Sequence, residues 1–296
     1  MNNENKYKFE TIGLIGRYGD STVGTLLNDL STYLRNRKLN VLLDESTASI
    51  IPDHNLKIAD RHTLGEQCDL VIVLGGDGTL LNAVRSLSDY DIPVLGINRG
   101  RLGFLADIQP NEMEKYLDEI FDGKYITKER FLLHTTIERE GEQISESNAF
   151  NDVVVHKWDV ARMIEVKIFI DNQYVNTMRS DGLIVSTPTG STAYALSGGG
   201  PIIHPSLNAI VLVPICPHTM SNRPIVIDGD SKIRIKVKNA RQSQAQITCD
   251  GQINLGLVSG DYVLIGKKQK PVTLIHPSNH DYYEILRAKL RWGERL

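Results

Sequence analysis

Apolar residues in the first hundred positions fall in short continuous runs separated by stretches of helical spacing. Thr11-Ile12-Gly13-Leu14-Ile15-Gly16 is one run and Asn40-Val41-Leu42-Leu43-Asp44 a second. Asp69-Leu70-Val71-Ile72-Val73-Leu74 is a third and Ile92-Pro93-Val94-Leu95-Gly96-Ile97 a fourth. Between the first two, Val23, Leu26, Leu27, Leu30 and Leu34 share one face of a helical period. Arg35, Arg37 and Lys38 follow, where a helix C-terminus favours cations. Strands that are apolar throughout are buried on both faces, and their alternation with helices implies a parallel sheet covered on both sides. After a helix expected over about 111–121 the period shortens to two. Residues 153–155, 163–170, 233–237 and 262–265 read as strands, with turn signals at Asp171-Asn172 and Asp228-Gly229-Asp230. A final helical pattern covers 282–291. The expected architecture is an α/β N-terminal domain with a parallel sheet (1–105, rejoined by 271–296) and an all-β C-terminal domain (106–270). The C-terminal helix is expected to pack back on the first domain.

Composition narrows the function classes. With 41% hydrophobic and 23% charged residues over 296 positions, the chain is an ordinary globular one. A formal charge of -3 supplies no basic field for nucleic acid or anionic lipid, so neither is an expected partner. Cys68, Cys216 and Cys249 are odd in number and widely spaced, which speaks against a disulfide framework or a structural zinc site and for a reducing cytoplasm. No run approaches the roughly 20 apolar residues that cross a bilayer, and the first residues lack a signal-peptide core.

Three segments carry chemistry. Gly75-Gly76-Asp77-Gly78-Thr79 joins the third strand to the next helix. Glycines there let a phosphate approach backbone amides at a helix N-terminus. Asp77 would repel that phosphate unless it binds a metal or takes a proton, so those are its two candidate roles. The turn is neither a P-loop nor a dinucleotide fingerprint. The second segment runs from Asp181-Gly182 through Pro188-Thr189-Gly190-Ser191-Thr192-Ala193-Tyr194 to Gly198-Gly199-Gly200-Pro201. Its hydroxyls and glycines follow a strand and open a short helix near Ser191, a setting that suits ribose, phosphate or a base edge. In the third, Phe150-Asn151-Asp152, an amide beside a carboxylate can grip a diol, although an Asn-Asp turn opening a strand needs no ligand. Arg99 and Arg101 lie at another strand end and are open to phosphate or to solvent. His276 and His280 are four apart, but Pro277 between them argues against a helix, and no metal pair is expected there.

Together these segments resemble the NAD kinase family. The match rests on GGDGT at Gly75–Thr79, on Asn98-Arg99-Gly100-Arg101-Leu102-Gly103-Phe104-Leu105, and on Asn151-Asp152. It rests also on the stretch from Arg179 to Pro201 and on Cys249-Asp250-Gly251-Gln252. The resemblance implies transfer of the ATP γ-phosphate to the 2′-hydroxyl of the adenosine ribose of NAD, giving NADP. It also implies a divalent ion such as Mg²⁺, NAD between the two domains, and a homo-oligomer, dimer or tetramer. Carried over residue by residue, it makes Asp77 the catalytic carboxylate. Gly75, Gly76, Gly78 and Thr79 become the phosphate-binding turn. Asp77, Gly78, Asn151, Asp152, Asp181, Thr192, Ala193, Tyr194 and Ser197 become the NAD-binding set, with Arg162, Arg179 and Gln252 added from their positions. Metal ligands are not assigned. The family usually has Glu where this chain has Asp152, a carboxylate one methylene shorter. Two rival readings are a lipid or sugar kinase sharing the glycine turn and a non-catalytic NAD-binding sensor.

Overall fold

The structure is a computed structural model that describes residues 7–17, 21–49, 51, 54–100, 103–158, 163–238 and 245–293. The chain divides into two compact units, one holding the residues up to Glu129 and those from Val272 onward, the other Arg130 to Pro271.

In the first unit the elements are β1 (Thr11–Gly16), α1 (Ser21–Asn36), β2 (Asn40–Asp44), α2 (Glu45–Ala48), β3 (Lys57–Ala59), α3 (Arg61–Gln67), β4 (Leu70–Leu74), α4 (Asp77–Leu87), β5 (Val94–Ile97), α5 (Met113–Phe121) and β6 (Tyr125–Arg130). Seven strands form one sheet in the order β3-β2-β1-β4-β5-β19-β6, where β19 (Val272–Pro277) returns from the far end of the chain. β1 pairs in parallel with β2 and β4, β2 with β3, and β5 with β4 and β19. The expected continuous apolar strands are therefore found, and for the expected reason: β4 is buried at all five positions. Leu27, Leu30 and Leu34 of α1 and Leu117 and Ile120 of α5 pack with Ile12, Leu14, Leu70, Ile72 and Leu74 in one core.

In the second unit follow β7 (Leu133–Arg139), β8 (Glu142–Ala149), β9 (Asp152–Lys157), β10 (Ile164–Ile170), β11 (Gln173–Ser180), β12 (Gly182–Ser186), α6 (Tyr194–Ser197), β13 (Ala209–Ile215), β14 (Ile225–Asp228), β15 (Ile233–Lys238), β16 (Ala245–Cys249), β17 (Ile253–Leu257) and β18 (Tyr262–Lys267). They make two six-stranded sheets, β11-β10-β15-β18-β7-β8 and β14-β13-β12-β9-β16-β17. One apolar cluster draws on both, with Val166, Ile235 and Val263 from the first and Val155, Val185 and Ile247 from the second. β12 is buried at every position although its neighbours are antiparallel. Leu183 and Val185 enter that shared core, while Ile184 joins a separate cluster with Ala195, Ile203 and Val213. The hydroxyl-rich segment after β12 thus roofs the second sheet through Ala195 and is pinned to it by apolar contacts.

The last helix, α7 (Tyr282–Leu290), belongs to the first unit and buries Ile285 and Leu286. Asp281 caps it, accepting from the amides of Tyr283 (2.8 Å) and Glu284 (3.3 Å).

Candidate active site

The strand order of the first unit changes direction between β1 and β4. After β1 the chain moves outward to β2 and β3; after β4 it moves the other way to β5. Ligands of open parallel sheets bind outside the carboxyl ends of the strands at such a point. There Arg17 N–H donates to Leu74 C=O (3.2 Å) and Gly75 N–H to Ile97 C=O (2.9 Å), so three strand ends are laced together. A cavity of about 630 Å³ opens beside them, lined by Gly16, Arg17, Ser46, Arg61, Gly76, Gly78, Thr79 and Asn82. Gly76 caps α4 with extended backbone, and a Cβ there would meet nothing within 4 Å. Gly75 is crowded instead, its missing Cβ lying 2.5 Å from Thr79 Oγ1. The helix end offers its positive dipole, and Arg17 and Arg61 line the cavity. Arg61 is steadied there by buried Asp44, Nε to Oδ1 2.7 Å.

Asp77 is the first residue of α4, and its carboxylate turns toward the segment after β5. Oδ2 accepts from Phe104 N–H (3.0 Å), and Oδ1 from Leu105 N–H (3.1 Å) and Ala106 N–H (3.4 Å). Gly103 makes room for it: a Cβ there would lie 2.3 Å from Asp77 Oδ1. Buried Asn98 holds the other side of the loop, donating from Nδ2 to Ala106 C=O (3.3 Å) and accepting from Gly100 N–H at Oδ1 (2.6 Å). Beside the two candidate roles of this carboxylate, metal anchor and proton acceptor, the structure shows a third, anchoring the 104–106 amides. A carboxylate has about four lone-pair sites, and three amides occupy three of them. Oδ2 accepts one of these amides and Oδ1 two.

In the second unit, residues 150–152 are clamped from two sides. Asp250 accepts from the amides of Phe150 (3.0 Å), Asn151 (2.7 Å) and Asp152 (3.2 Å). It is placed to do so by the β16–β17 hairpin, where Asp250 and Gly251 take φ of 53° and 63° and Gln252 N–H closes the turn on Cys249 C=O (3.0 Å). From the other side Thr187 donates to Phe150 C=O through Oγ1 (2.7 Å) and to Asn151 C=O through its amide (2.9 Å). Gly190 closes against the same peptide; a Cβ on it would lie 2.2 Å from Asn151 O. Asn151 Oδ1 is buried without a hydrogen-bond partner, an acceptor that costs free energy unless something donates to it. Asp152 is 4% exposed, and burial, reinforced by the charge of Asp250, pushes its carboxyl up to about 7.

The remaining residues of the expected set are spread along this unit. Thr192, Ala193, Tyr194 and Ser197 follow Gly190 in a 3₁₀ turn over Thr189–Thr192 and in α6; the Tyr194 ring is half exposed and Ser197 is exposed. Ser191 faces inward, bonded to Pro188 C=O and Ile203 C=O (2.6 and 3.2 Å), so it braces the turn. Asp181 lies at the opposite end of β12 from Thr187 and pairs with Lys157 Nζ (2.7 Å). Along the strand that is roughly 16–20 Å from Asn151. Arg179 is exposed at the end of β11 beside it, and Gln252 is exposed at the hairpin. Arg162 and Arg101 lie outside the described residues.

Sequence reasoning passed over Arg17, Ser46, Arg61 and Asn82 because only the fold brings them to the glycine turn. It passed over Asp250, whose partner amides are about a hundred positions away; the Asp-Gly turn signal was the available clue. It also set His276 and His280 aside for want of a helix. No helix is there, yet a strand end and a tight turn bring both rings onto Asp107.

A glycine turn opening a helix at a sheet switch point, with a polar cluster on a β unit, is an arrangement suited to a nucleotide phosphotransferase. Comparisons with known proteins make this specific. The family model for the ATP-NAD kinase N-terminal domain matches residues 12–125, and that for the ATP-NAD kinase C-terminal domain matches 150–277. The NAD kinases of Pseudomonas entomophila and Azotobacter vinelandii are each 51% identical to it, covering 98% and 97% of this chain and 98% of their own. Among solved structures, a yeast NADH kinase complexed with NADH superposes with a TM-score of 0.89 at 24% identity, over 98% of this chain and 90% of that one. An NAD kinase from Archaeoglobus fulgidus in complex with ATP gives 0.74 at 25% identity, over 95% and 98%. The chain belongs to the NAD kinase family.

Proposed function

We propose that this chain transfers the γ-phosphate of ATP to the 2′-hydroxyl of the adenosine ribose of NAD, producing NADP. The observation that carries the chemical part is the Asp77 carboxylate, immobilised by three amides with one lone pair left. In this reading Oδ2 orients the 2′-hydroxyl and takes its proton as the oxygen attacks phosphorus, help worth typically ~10²–10⁴-fold. The glycine turn, the α4 N-terminus, Arg17 and Arg61 hold the triphosphate and spread its developing charge. Asn151 and Asp152 meet ribose hydroxyls, Asn151 through its partnerless Oδ1. Thr192, Ala193, Tyr194 and Ser197 line the NAD pocket, with Tyr194 offering its ring face to a base. Asp181, Arg162, Arg179 and Gln252 are assigned to more distant parts of the NAD molecule.

Magnesium enters this reading as MgATP. The cavity at the glycine turn presents hydroxyl and amide oxygens from Ser46, Thr79 and Asn82, and Asp77 is engaged by amides. That donor set suits a cation carried by phosphates and water, which bound Mg²⁺ prefers. Three free cysteines accord with a reducing cytoplasm. No helix among the described residues is long and apolar enough to cross a membrane. The edge strand β14, with Ile225 and Val226 nearly half exposed, supports a homo-oligomer.

The deciding experiment incubates the protein with MgATP and NAD and measures NADP. Turnover separates a kinase from a sensor, and the acceptor separates it from a lipid or sugar kinase. Asp77→Asn is expected to lower kcat by at least ~10²-fold with NAD affinity changed only a few-fold. Near-normal turnover in that variant would remove Asp77 from the chemistry.

A further inference from the structure

Away from the glycine turn, Asp107, His276 and His280 converge inside the first unit. Asp107 Oδ2 lies 3.0 Å from His276 Nδ1 and 2.6 Å from His280 Nδ1, and the imidazoles stack with centroids 4.0 Å apart. All three side chains are buried, at 9%, 4% and 6% exposure. The arrangement is built by the fold. His276 stands near the end of β19, and the turn closed by His280 N–H on Pro277 C=O (3.0 Å) swings His280 back beside it. Asp107 precedes Ile108, which bridges to Ile97 at the end of β5.

Two imidazoles donating to one carboxylate oxygen is the metal-free form of this cluster. It leaves Asp107 Oδ1 buried with no hydrogen-bond partner.

We propose that Asp107, His276 and His280 form a site for one divalent transition-metal ion of the zinc class. The three donor atoms lie within 4.8 Å of one another, and a tetrahedral centre with bonds of about 2.0–2.1 Å spaces its ligands by about 3.4 Å, so small side-chain shifts suffice. Binding replaces the Nδ1 protons, each imidazole carrying its proton on Nε2 instead, and the dication neutralises Asp107. Two imidazoles and one carboxylate select zinc, cobalt or nickel over magnesium, which distinguishes this site from the MgATP of turnover. Three protein ligands leave an open position, and a cavity of about 210 Å³ adjoins Asp107 and His280. Glu112, Asp281 and Glu284 line it, carboxylates that draw a cation inward. The ion would staple the C-terminal segment to the residue directly after the amides that hold Asp77.

The test uses the full-length chain stripped with a chelator, without nucleotide, titrated with Zn²⁺ by calorimetry in millimolar Mg²⁺. One equivalent is expected to bind at sub-micromolar concentration, with His280→Ala weakening it by about 100-fold or more. Co²⁺ is expected to give visible d–d absorption that His280→Ala abolishes, and Zn²⁺ to raise the Tm of the wild-type chain alone. Asp107→Asn, nearly isosteric, gives the same comparison should His280→Ala not fold. Absence of Zn²⁺ binding below about 100 µM, or unchanged stoichiometry and affinity in a folded variant, overturns the site. None of these readouts depends on NADP formation.

Discussion

Asp152 illustrates how one side chain records its surroundings. The chain carries Asp where its family usually carries Glu, and the shorter carboxyl sits at the start of β9, beside Asp250. Its raised value, about 7 against an ordinary value near 4, makes folding stability depend on pH. Between those two values the folded chain binds more protons than the unfolded one, so this group's contribution to stability falls as pH rises through that window. The slope is at most ~1.4 kcal/mol per pH unit, and it flattens as pH passes about 7, vanishing near about 8 where both states are ionised. Asp152→Asn carries no such charge. Thermal melts at pH 5, 6, 7, 8 and 9 are expected to show the variant gaining on wild type as pH rises, with the difference levelling off above about 8. A parallel pair of curves would mean that Asp152 is not the titrating group. The residue scale also shows what was readable in the chain. Asp77 stood out because it was the one carboxylate among three glycines. Asp250 did not, because an Asp-Gly turn is common and its three amide partners are visible only when β16 pairs with β9.

At the scale of elements, residues 98–100 and 103–106 and the start of α4 form one device. The apolar runs that predicted β1, β2, β4 and β5 were legible because burial on both faces leaves no polar position to interrupt them. β3 and α3 were not legible: β3 is three residues long with two exposed, and α3 buries only Leu64. Residues 98–100 and 103–106 show no periodicity either, since their form comes from side chain to backbone bonds. Gly103 was noted as part of a motif; the structure supplies the reason, a carboxylate where its Cβ would be. Gly103→Ala must therefore displace Asp77 Oδ1 or the loop. The expected outcome is a fall in kcat of ~10-fold or more, as a misplacement near 1 Å can cost ~10². KM for NAD should change little and Tm by only a few degrees, because Gly103 is not part of a core cluster. A variant with normal kcat would show that the loop and Asp77 need not be held in this register.

For the whole molecule, the decisive feature is that its first unit is completed by its last residues. β19 sits between β5 and β6, not at an edge, and contributes Val272, Leu274 and Ile275 to the interior. The alternation of sequence patterns revealed two folds along the chain and the return of 271–296 to the first, but not that 272–277 is an interior strand of its sheet, because the pairing of β19 with β5 joins residues far apart in the sequence. Two truncations separate the roles of strand and helix. A chain ending at Pro271 loses an interior strand, leaving unpaired backbone groups on both neighbours and removing three buried apolar side chains, each worth about 1.5–3 kcal/mol. That sum matches the whole stability of a typical domain, so the first unit is expected to lose its cooperative melting and ATP binding. The second unit, whose sandwich core draws nothing from 272–296, should keep its β-type circular dichroism. A chain ending after Pro277 keeps β19 and loses α7, whose buried Ile285 and Leu286 account for about 3–6 kcal/mol by the same reckoning. It should fold with a lowered Tm and still bind ATP. Limited proteolysis with calorimetry distinguishes these outcomes: if the chain ending at Pro271 retained a cooperative transition for both units, β19 would be an accessory strand, and the two-part organisation would not depend on the return of the C-terminus.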